Sequence, residues 1–561
     1  MKFNEYPYQR PDCKEYLAKL DKIVANFEKT TTFDEQLALY KESEKIMREY
    51  RTLESVSYVR YTINTKDEFY KAEGEYFDEQ GPLFSEKMLK LNQLIVKSKF
   101  LDDFEKEIGY VYVRNLKMSV KTFSPEIVEL AQKENELTTK YQTLYASAMV
   151  EFEGKTMPLP MLGPYKNDKD RAVRQKAFEV EGKFFDDNRE ELDELYDKLV
   201  KNRTEQAKIL GYKNYVELAY DRRTRNCYTA KDVANYRKQI LEDIVPLASK
   251  IKEKQSKRIG IDNLKLYDDT FMFLDGNPTP KGTPDELLVA CKKMYKEMSE
   301  ETAEFIEFMF ENELFDVISR DGKAPGGYCT RFLNHESTFI FSNFNGTAGD
   351  VDVLTHEAGH ALAAYLLRKT KYLSQMMPTA DTCEVHSMAM EYLTSPWHES
   401  FFKEDTAKYT LNQAESDINF LPYGTMVDYF QELMYENPEM TKEERNETWA
   451  NLEKQFRPHI DFDGIPFYGR GAGWQRQLHI YLYPFYYIDY CLASTVALQI
   501  QALKLQDSKK AWDTYLEFTK MGNTKTFVDL IETVGLTSPM TSGCLKSICT
   551  TISDWLFSLE V

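Results

Sequence analysis

The sequence predicts a mostly α-helical fold with one small β-sheet, and three observations lead there. From the start to about residue 250, apolar residues recur at three- and four-residue spacing among Glu and Lys. A short region near residues 326–345 is instead rich in aromatic and β-branched residues. After Asn345-Gly346 the helical pattern returns and continues to the end.

Taken in order, helices are expected over 34–52, 82–97, 125–150 and 170–208. Ser124 before Pro125, and Asp168 before Asp170 and Arg171, supply start signals. Gly154, Pro158, Pro160, Gly163 and Pro164 cluster at a joint without a linker, and no repeat of fixed period is found. Residues 1–190 are therefore read as an N-terminal helical lobe and 191–561 as a second domain, with a soft boundary. Asp275-Gly276-Asn277-Pro278 is a turn signal. Gly326-Gly327 introduces a strand over 328–333, and Asn334-His335-Glu336-Ser337 leads into a second over 338–344, together a hairpin. The strand over 338–344 is read as an edge strand that holds substrate, since an edge pairs with any extended peptide through main-chain bonds, with little side-chain preference.

Composition narrows the function. The chain has 561 residues, 42% hydrophobic and 14% aromatic, enough for a large core. Its formal charge of −19, from 72 basic and 91 acidic residues, argues against nucleic acid or an anionic membrane as partner. No stretch approaches the ~20 apolar residues of a membrane helix. The opening MKFNEYPYQRPDCKEYL lacks the apolar run of a signal peptide. The eight cysteines are scattered, which fits reduced thiols and a cytoplasmic location.

All seven histidines lie between His335 and His479. His356-Glu357-Ala358-Gly359-His360 forms an HExxH motif. Asp350 and Asp352 precede it, Arg368 and Lys369 follow it, and Leu354, Ala361, Leu362 and Tyr365 supply apolar positions, so a helix is expected over 348–369. His356 and His360, four apart, project from one face and can grip one zinc ion per chain. Glu357, turned ~100° around the helix, can take a proton as general base without being a ligand. Gly359 costs ~1 kcal/mol relative to alanine in mid-helix, so another backbone or a ligand should come close there. Glu384, on a helix expected over 380–394, is the candidate third ligand. Glu391 and Asp352 are placed to accept the outer N–H of a ligand histidine. A merely solvated helix face would accommodate two unpaired imidazoles poorly. His386 and His398 read as core or surface residues and His335 as a turn residue. His459 carries no signal.

Four stretches resemble the thimet oligopeptidase and oligoendopeptidase F family of zinc peptidases, most closely bacterial oligoendopeptidase F. They are Phe339 through His360, Cys383-Glu-Val-His-Ser-Met-Ala-Met-Glu-Tyr, His479-Ile-Tyr-Leu-Tyr-Pro-Phe-Tyr-Tyr-Ile-Asp-Tyr, and Val150-Glu-Phe-Glu-Gly-Lys through Asp168-Lys-Asp-Arg-Ala-Val-Arg. The resemblance implies two helical lobes around a deep channel, with the small sheet beside the zinc helix. It also implies that 191–561 is the catalytic domain and that substrates are short peptides. It makes His479 and the tyrosines after it candidate donors to the oxyanion. Pro484 stands where some members have tyrosine, which leaves Tyr483, Tyr486, Tyr487 and Tyr490, of which Tyr486 and Tyr490 share a helical face.

Gly469-Arg-Gly-Ala-Gly473 lacks the GxGxxG spacing of a nucleotide loop and is read as a flexible loop over the site. The function expected is a zinc endopeptidase acting on short peptides. A zinc exopeptidase and a non-catalytic peptide-binding protein are the alternatives. A di-iron bundle would need a second Glu-x-x-His motif, which is absent.

Overall fold

The computed structural model describes residues 1–559 and 561. Helix accounts for 71% of it, so the class is mostly α. Among the described residues, five short strands make two sheets: β1 (Met149–Phe152), β2 (Lys155–Pro158), β3 (Phe315–Ile318), β4 (Tyr328–Phe332) and β5 (Ser337–Phe344). The chain divides into two compact units. The first comprises Met1–Val120, Thr279–Thr406 and Val496–Leu536; the second comprises Lys121–Pro278, Ala407–Thr495 and Thr537–Val561.

Helix ends follow capping chemistry. Thr32 and Glu35 form a capping box at Phe33–Ile63, and Thr283 and Glu286 form another at Pro284–Met298. Pro82, read as a helix start, lies inside Glu68–Lys97 instead. The true opening is Asp67, whose carboxylate accepts the Phe69 and Tyr70 N–H groups. The expected 170–208 helix is two, Arg171–Asp187 and Arg189–Ile209, meeting at Asn188. The β1–β2 hairpin was not expected. Its two-residue turn holds Glu153 and Gly154 at φ of 52° and 74°, the left-handed geometry that matches strand twist.

In the first unit the expected hairpin is present. β4 pairs antiparallel with β5, Tyr328 opposite Phe341 and Phe332 opposite Ser337. However, β3 runs parallel along the other side of β5, giving the order β3–β5–β4. The strand over 338–344 is therefore central, not an edge, because Leu314 and β3 already occupy its second row of backbone groups. Within this three-stranded sheet the open edges are those of β3 and β4. Phe339, Ile340 and Phe341 are fully buried, each such side chain contributing roughly 1.5–3 kcal/mol. His335 sits in the turn as expected, its ring stacked 4.0 Å from that of Tyr6.

The second unit packs Trp449, Trp474, Phe430 and Tyr196 into one aromatic core. It also buries an ion pair, Arg174 to Asp268 at 2.8 Å, with both side chains inaccessible. The 469–473 segment is not a free loop. A β-carbon at Gly471 would lie 2.2 Å from the Asn446 carbonyl oxygen, and one at Gly469 would lie 2.8 Å from that of Phe462. These glycines permit close backbone packing, which the sequence reading mistook for mobility.

Candidate metal centre and active site

The HExxH motif lies on the helix Gly349–Leu367. Asp350 organises its approach by accepting the backbone N–H groups of Asn345 and Gly346, each at 2.8 Å. Between residues 351 and 365 every position is buried except Asp352, Val353, His356 and His360. The two histidines thus stand on the helix's one open stripe, as four-residue spacing requires.

The second helix, Ala380–Leu393, packs directly on the first. Gly359 makes the approach possible: a β-carbon there would fall 2.4 Å from the His386 carbonyl oxygen and 2.7 Å from Ser387 Cα. The expected neighbouring backbone is this helix. The contact brings Glu384 Oε2 to 3.4 Å from His356 Nε2 and 3.7 Å from His360 Nε2. One ligand atom from each of these three residues lies within 4.8 Å of the others. Glu391, one of the two acceptors expected behind the ligands, binds His356 Nδ1 at 2.7 Å. That bond leaves Nε2 facing the site.

The electrostatics favour a cation. Burial opposes a charge on His356, but its hydrogen bonds to Glu384 and Glu391 outweigh that and raise its pKa well above the usual value. Burial together with the charge of His356 pulls His360 down to about 4. Burial pushes the Glu357 carboxyl up to about 7; Glu384 and Glu391 act in the same direction and His356 against it. Two imidazoles therefore face three carboxylates in a desolvated pocket. Glu357 is buried and lies outside the ligand set. Over it sits Gly327, where a β-carbon would come within 3.9 Å of Glu357 Oε1.

The remaining histidines sort as follows. His386 is buried against the Phe518 ring, with burial pushing it down to about 3, and it serves the core as expected. His398 is buried as well. His459 Nδ1 lies 3.2 Å from the Ser249 hydroxyl.

His479 belongs to the second unit, on the short helix Leu478–Leu482. The rings of Tyr483, Tyr486, Tyr487 and Tyr490 surround it at 4.9–6.2 Å. Tyr486 and Tyr490 touch, with centroids 5.0 Å apart, although Tyr486 precedes the helix Tyr487–Gln506 by one residue. Gln477 fixes the histidine. Its amide oxygen accepts from the Tyr423 hydroxyl at 2.8 Å, so its amide nitrogen, 2.9 Å from Nδ1, is the donor there. Nδ1 is then the acceptor and the ring proton sits on Nε2. Burial, with Arg223 nearby, pushes His479 down to about 4 and keeps it neutral.

Comparison with known proteins places the chain. A model described as the peptidase M3 N-terminal domain matches residues 3–123, and one described as peptidase family M3 matches 164–275 and 291–550. The chain belongs to peptidase family M3. It is 23% identical to oligopeptidase PepF of Bacillus subtilis over 67% of this chain, and the match spans 56% of that relative's length. It is 22% identical to an oligoendopeptidase F homolog of Lactococcus lactis, over 82% of this chain and 78% of the relative. The structure of Pz peptidase A with inhibitor 2 superposes at a TM-score of 0.94 with 43% identity, covering 100% of both chains.

Within this M3 chain, two features escaped sequence reasoning. Gln477 carried no signal beyond standing two residues before His479. Gly327 was read only as part of the glycine pair that introduces a strand, and its closeness to Glu357 was not foreseen.

Proposed function

We propose that this chain is a zinc-dependent endopeptidase that hydrolyses internal bonds of short peptides. His356, His360 and Glu384 would hold one zinc ion per chain. The observation that carries the reading is the convergence of these three ligand atoms beside a buried carboxylate, Glu357, that is not one of them. Two imidazoles and one carboxylate are a donor set that suits zinc and leaves a position open. When bound, zinc supplies Lewis acidity toward a peptide carbonyl and toward water. Glu357 accepts the proton of the attacking water and hands it to the leaving nitrogen.

Neutral His479, with its proton on Nε2, is in the form needed to donate to an oxyanion, and Tyr486 and Tyr490 are the tyrosines assigned to assist it. The family resemblance supports His479 and the tyrosines after it as a group, and the choice of Tyr486 and Tyr490 rests on their four-residue spacing and ring contact. The edge of β4, beside Gly327, is the strand offered to an extended substrate, which favours broad side-chain preference. The names of the two relatives, oligopeptidase and oligoendopeptidase, support internal cleavage of short peptides. Eight free cysteines and the absence of a membrane-crossing helix among the described residues support a cytoplasmic location.

The test is mass spectrometry of a doubly blocked peptide of roughly ten residues incubated with the parent protein and with Glu357→Gln, expected to be slower by ~10²–10⁴-fold. Zinc content is measured on both. Internal cuts by the parent alone, with zinc retained by both, support the reading. No internal cuts by zinc-loaded parent would overturn it in favour of end-trimming or simple binding.

A further inference from the structure

The second unit contains a half-open cavity of about 630 Å³ that the chemistry above leaves without a task. Four cations line it: Lys166, Lys252, Arg457 and Arg476. Two of them are fully engaged. Lys252 binds Asp269 Oδ1 at 2.6 Å, and Arg457 binds Asp269 Oδ2 at 2.7 Å and Glu453 Oε2 at 3.1 Å.

The other two share one carboxylate. Lys166 Nζ lies 2.5 Å and Arg476 Nε 3.2 Å from the same oxygen, Glu181 Oε1. The other oxygen of this buried carboxylate accepts from the Tyr468 hydroxyl. One negative charge therefore answers two positive ones. Burial and the charge of Arg476 lower Lys166 to about 8 against the pull of Glu181, as crowded cations require.

Arg476 is the group left open. Its Nε is spent on Glu181, and neither terminal nitrogen has a hydrogen-bond partner among the described residues. Its side chain is 43% exposed. A guanidinium held by Nε presents its far edge as a rigid two-pronged donor, the geometry that fits a carboxylate. Asn419 Oδ1 also borders the cavity, buried and without a partner, an acceptor suited to a peptide N–H. The cavity adjoins the His479 cluster, since Gln477 and Tyr487 line it and Gln477 bonds His479.

We propose that this cavity is a carboxylate-binding subsite for peptides, in which Arg476, anchored by Glu181 and backed by Lys166, grips an acid group of the substrate with its two free nitrogens. The ligand class rests on the peptidase reading; the site itself rests on Arg476. The acid is either the C-terminal carboxylate or an Asp or Glu side chain.

The test uses zinc-loaded protein carrying Glu357→Gln, so that peptides stay intact. Three fluorescein-labelled peptides are compared by anisotropy: one with a free C-terminus and a glutamate near it, its C-terminal amide, and its Glu-to-Gln counterpart. The expectation is that one change weakens binding about tenfold or more. A drop on amidation identifies the terminal carboxylate, and a drop on the Gln exchange identifies the side chain. Adding Arg476→Gln should erase that ratio, and Arg476→Lys should retain part of it. Both keep Glu181 paired with Lys166 and Tyr468, and thermal melts check the fold. Equal affinities for all three peptides, or a ratio that survives Arg476→Gln, would overturn the site. If Arg476→Gln misfolds, the Arg476→Lys ratio decides. Cleavage by protein with Glu357 intact is scored separately: an unchanged acid preference without cutting sinks the peptidase reading and leaves the subsite standing.

Discussion

Replacing Gly359 with alanine should force apart the two helices that carry the proposed metal ligands. The new β-carbon would sit 2.4 Å from the His386 carbonyl oxygen, 2.7 Å from Ser387 Cα and 2.9 Å from the His386 carbonyl carbon. Carbon atoms rest at ~3.5–4.0 Å, so the helices must separate by about 1 Å. The His386 carbonyl cannot simply turn aside, because it accepts the Tyr515 hydroxyl at 2.9 Å. Overpacking of this kind costs ~1–3 kcal/mol, and loss of that hydrogen bond adds ~1 kcal/mol. Alanine's better helix propensity returns ~1 kcal/mol. The net expectation is a loss of ~1–3 kcal/mol. Glu384, two residues from the contact, moves away from both histidines, and zinc affinity falls with it. The assay is competition with a chromophoric chelator, together with melting curves with and without zinc. An alanine variant with parental zinc affinity and an undiminished melting temperature would refute the reasoning.

Three further outcomes are expected. Glu391→Gln removes the carboxylate that holds His356 Nδ1, and zinc affinity should drop ~10–100-fold; unchanged affinity would remove Glu391 from that role. Lys504 is lowered to about 8 by burial, while its amine donates to the Tyr392 carbonyl at 2.6 Å. Between pH 8 and its ordinary value of 10.5 the unfolded chain binds more protons, so the parent should gain stability with rising pH. The gap in urea midpoint between parent and Lys504→Met should shift in the parent's favour from pH 7 to pH 10, and a pH-independent gap would contradict this. Asp268→Ala leaves buried Arg174 without its carboxylate and should destabilise by ~3–5 kcal/mol in urea unfolding; a loss below ~1 kcal/mol would mean that carbonyl groups neutralise the arginine well enough.

Much of the candidate metal centre was legible because it is local. HExxH spacing puts two imidazoles on one stripe wherever a helix forms, and Gly359 announced a close neighbour. Glu384 was reachable because it lies early in a nearby helix, Ala380–Leu393. Helix limits were less legible. Pro82 looked like a start, but a proline can lie inside a long helix, and the stronger signal was the carboxylate of Asp67. The hairpin at 149–158 was hidden among prolines and glycines that also suit a joint.

By itself, the sequence determined the helical class and the helix that carries HExxH, since each follows from backbone periodicity over a few turns, and it named Glu384 and Glu357 as candidates for the third ligand and the base. Only the tertiary structure decided that β5 is central rather than an edge, that 469–473 is pinned rather than free, and that Arg476 shares Glu181 with Lys166 across a long separation in the chain. The physical reason is common to all three. Periodicity states which face of an element is buried, but the partner that buries it, and the charge left unanswered, depend on segments the chain brings together from far apart.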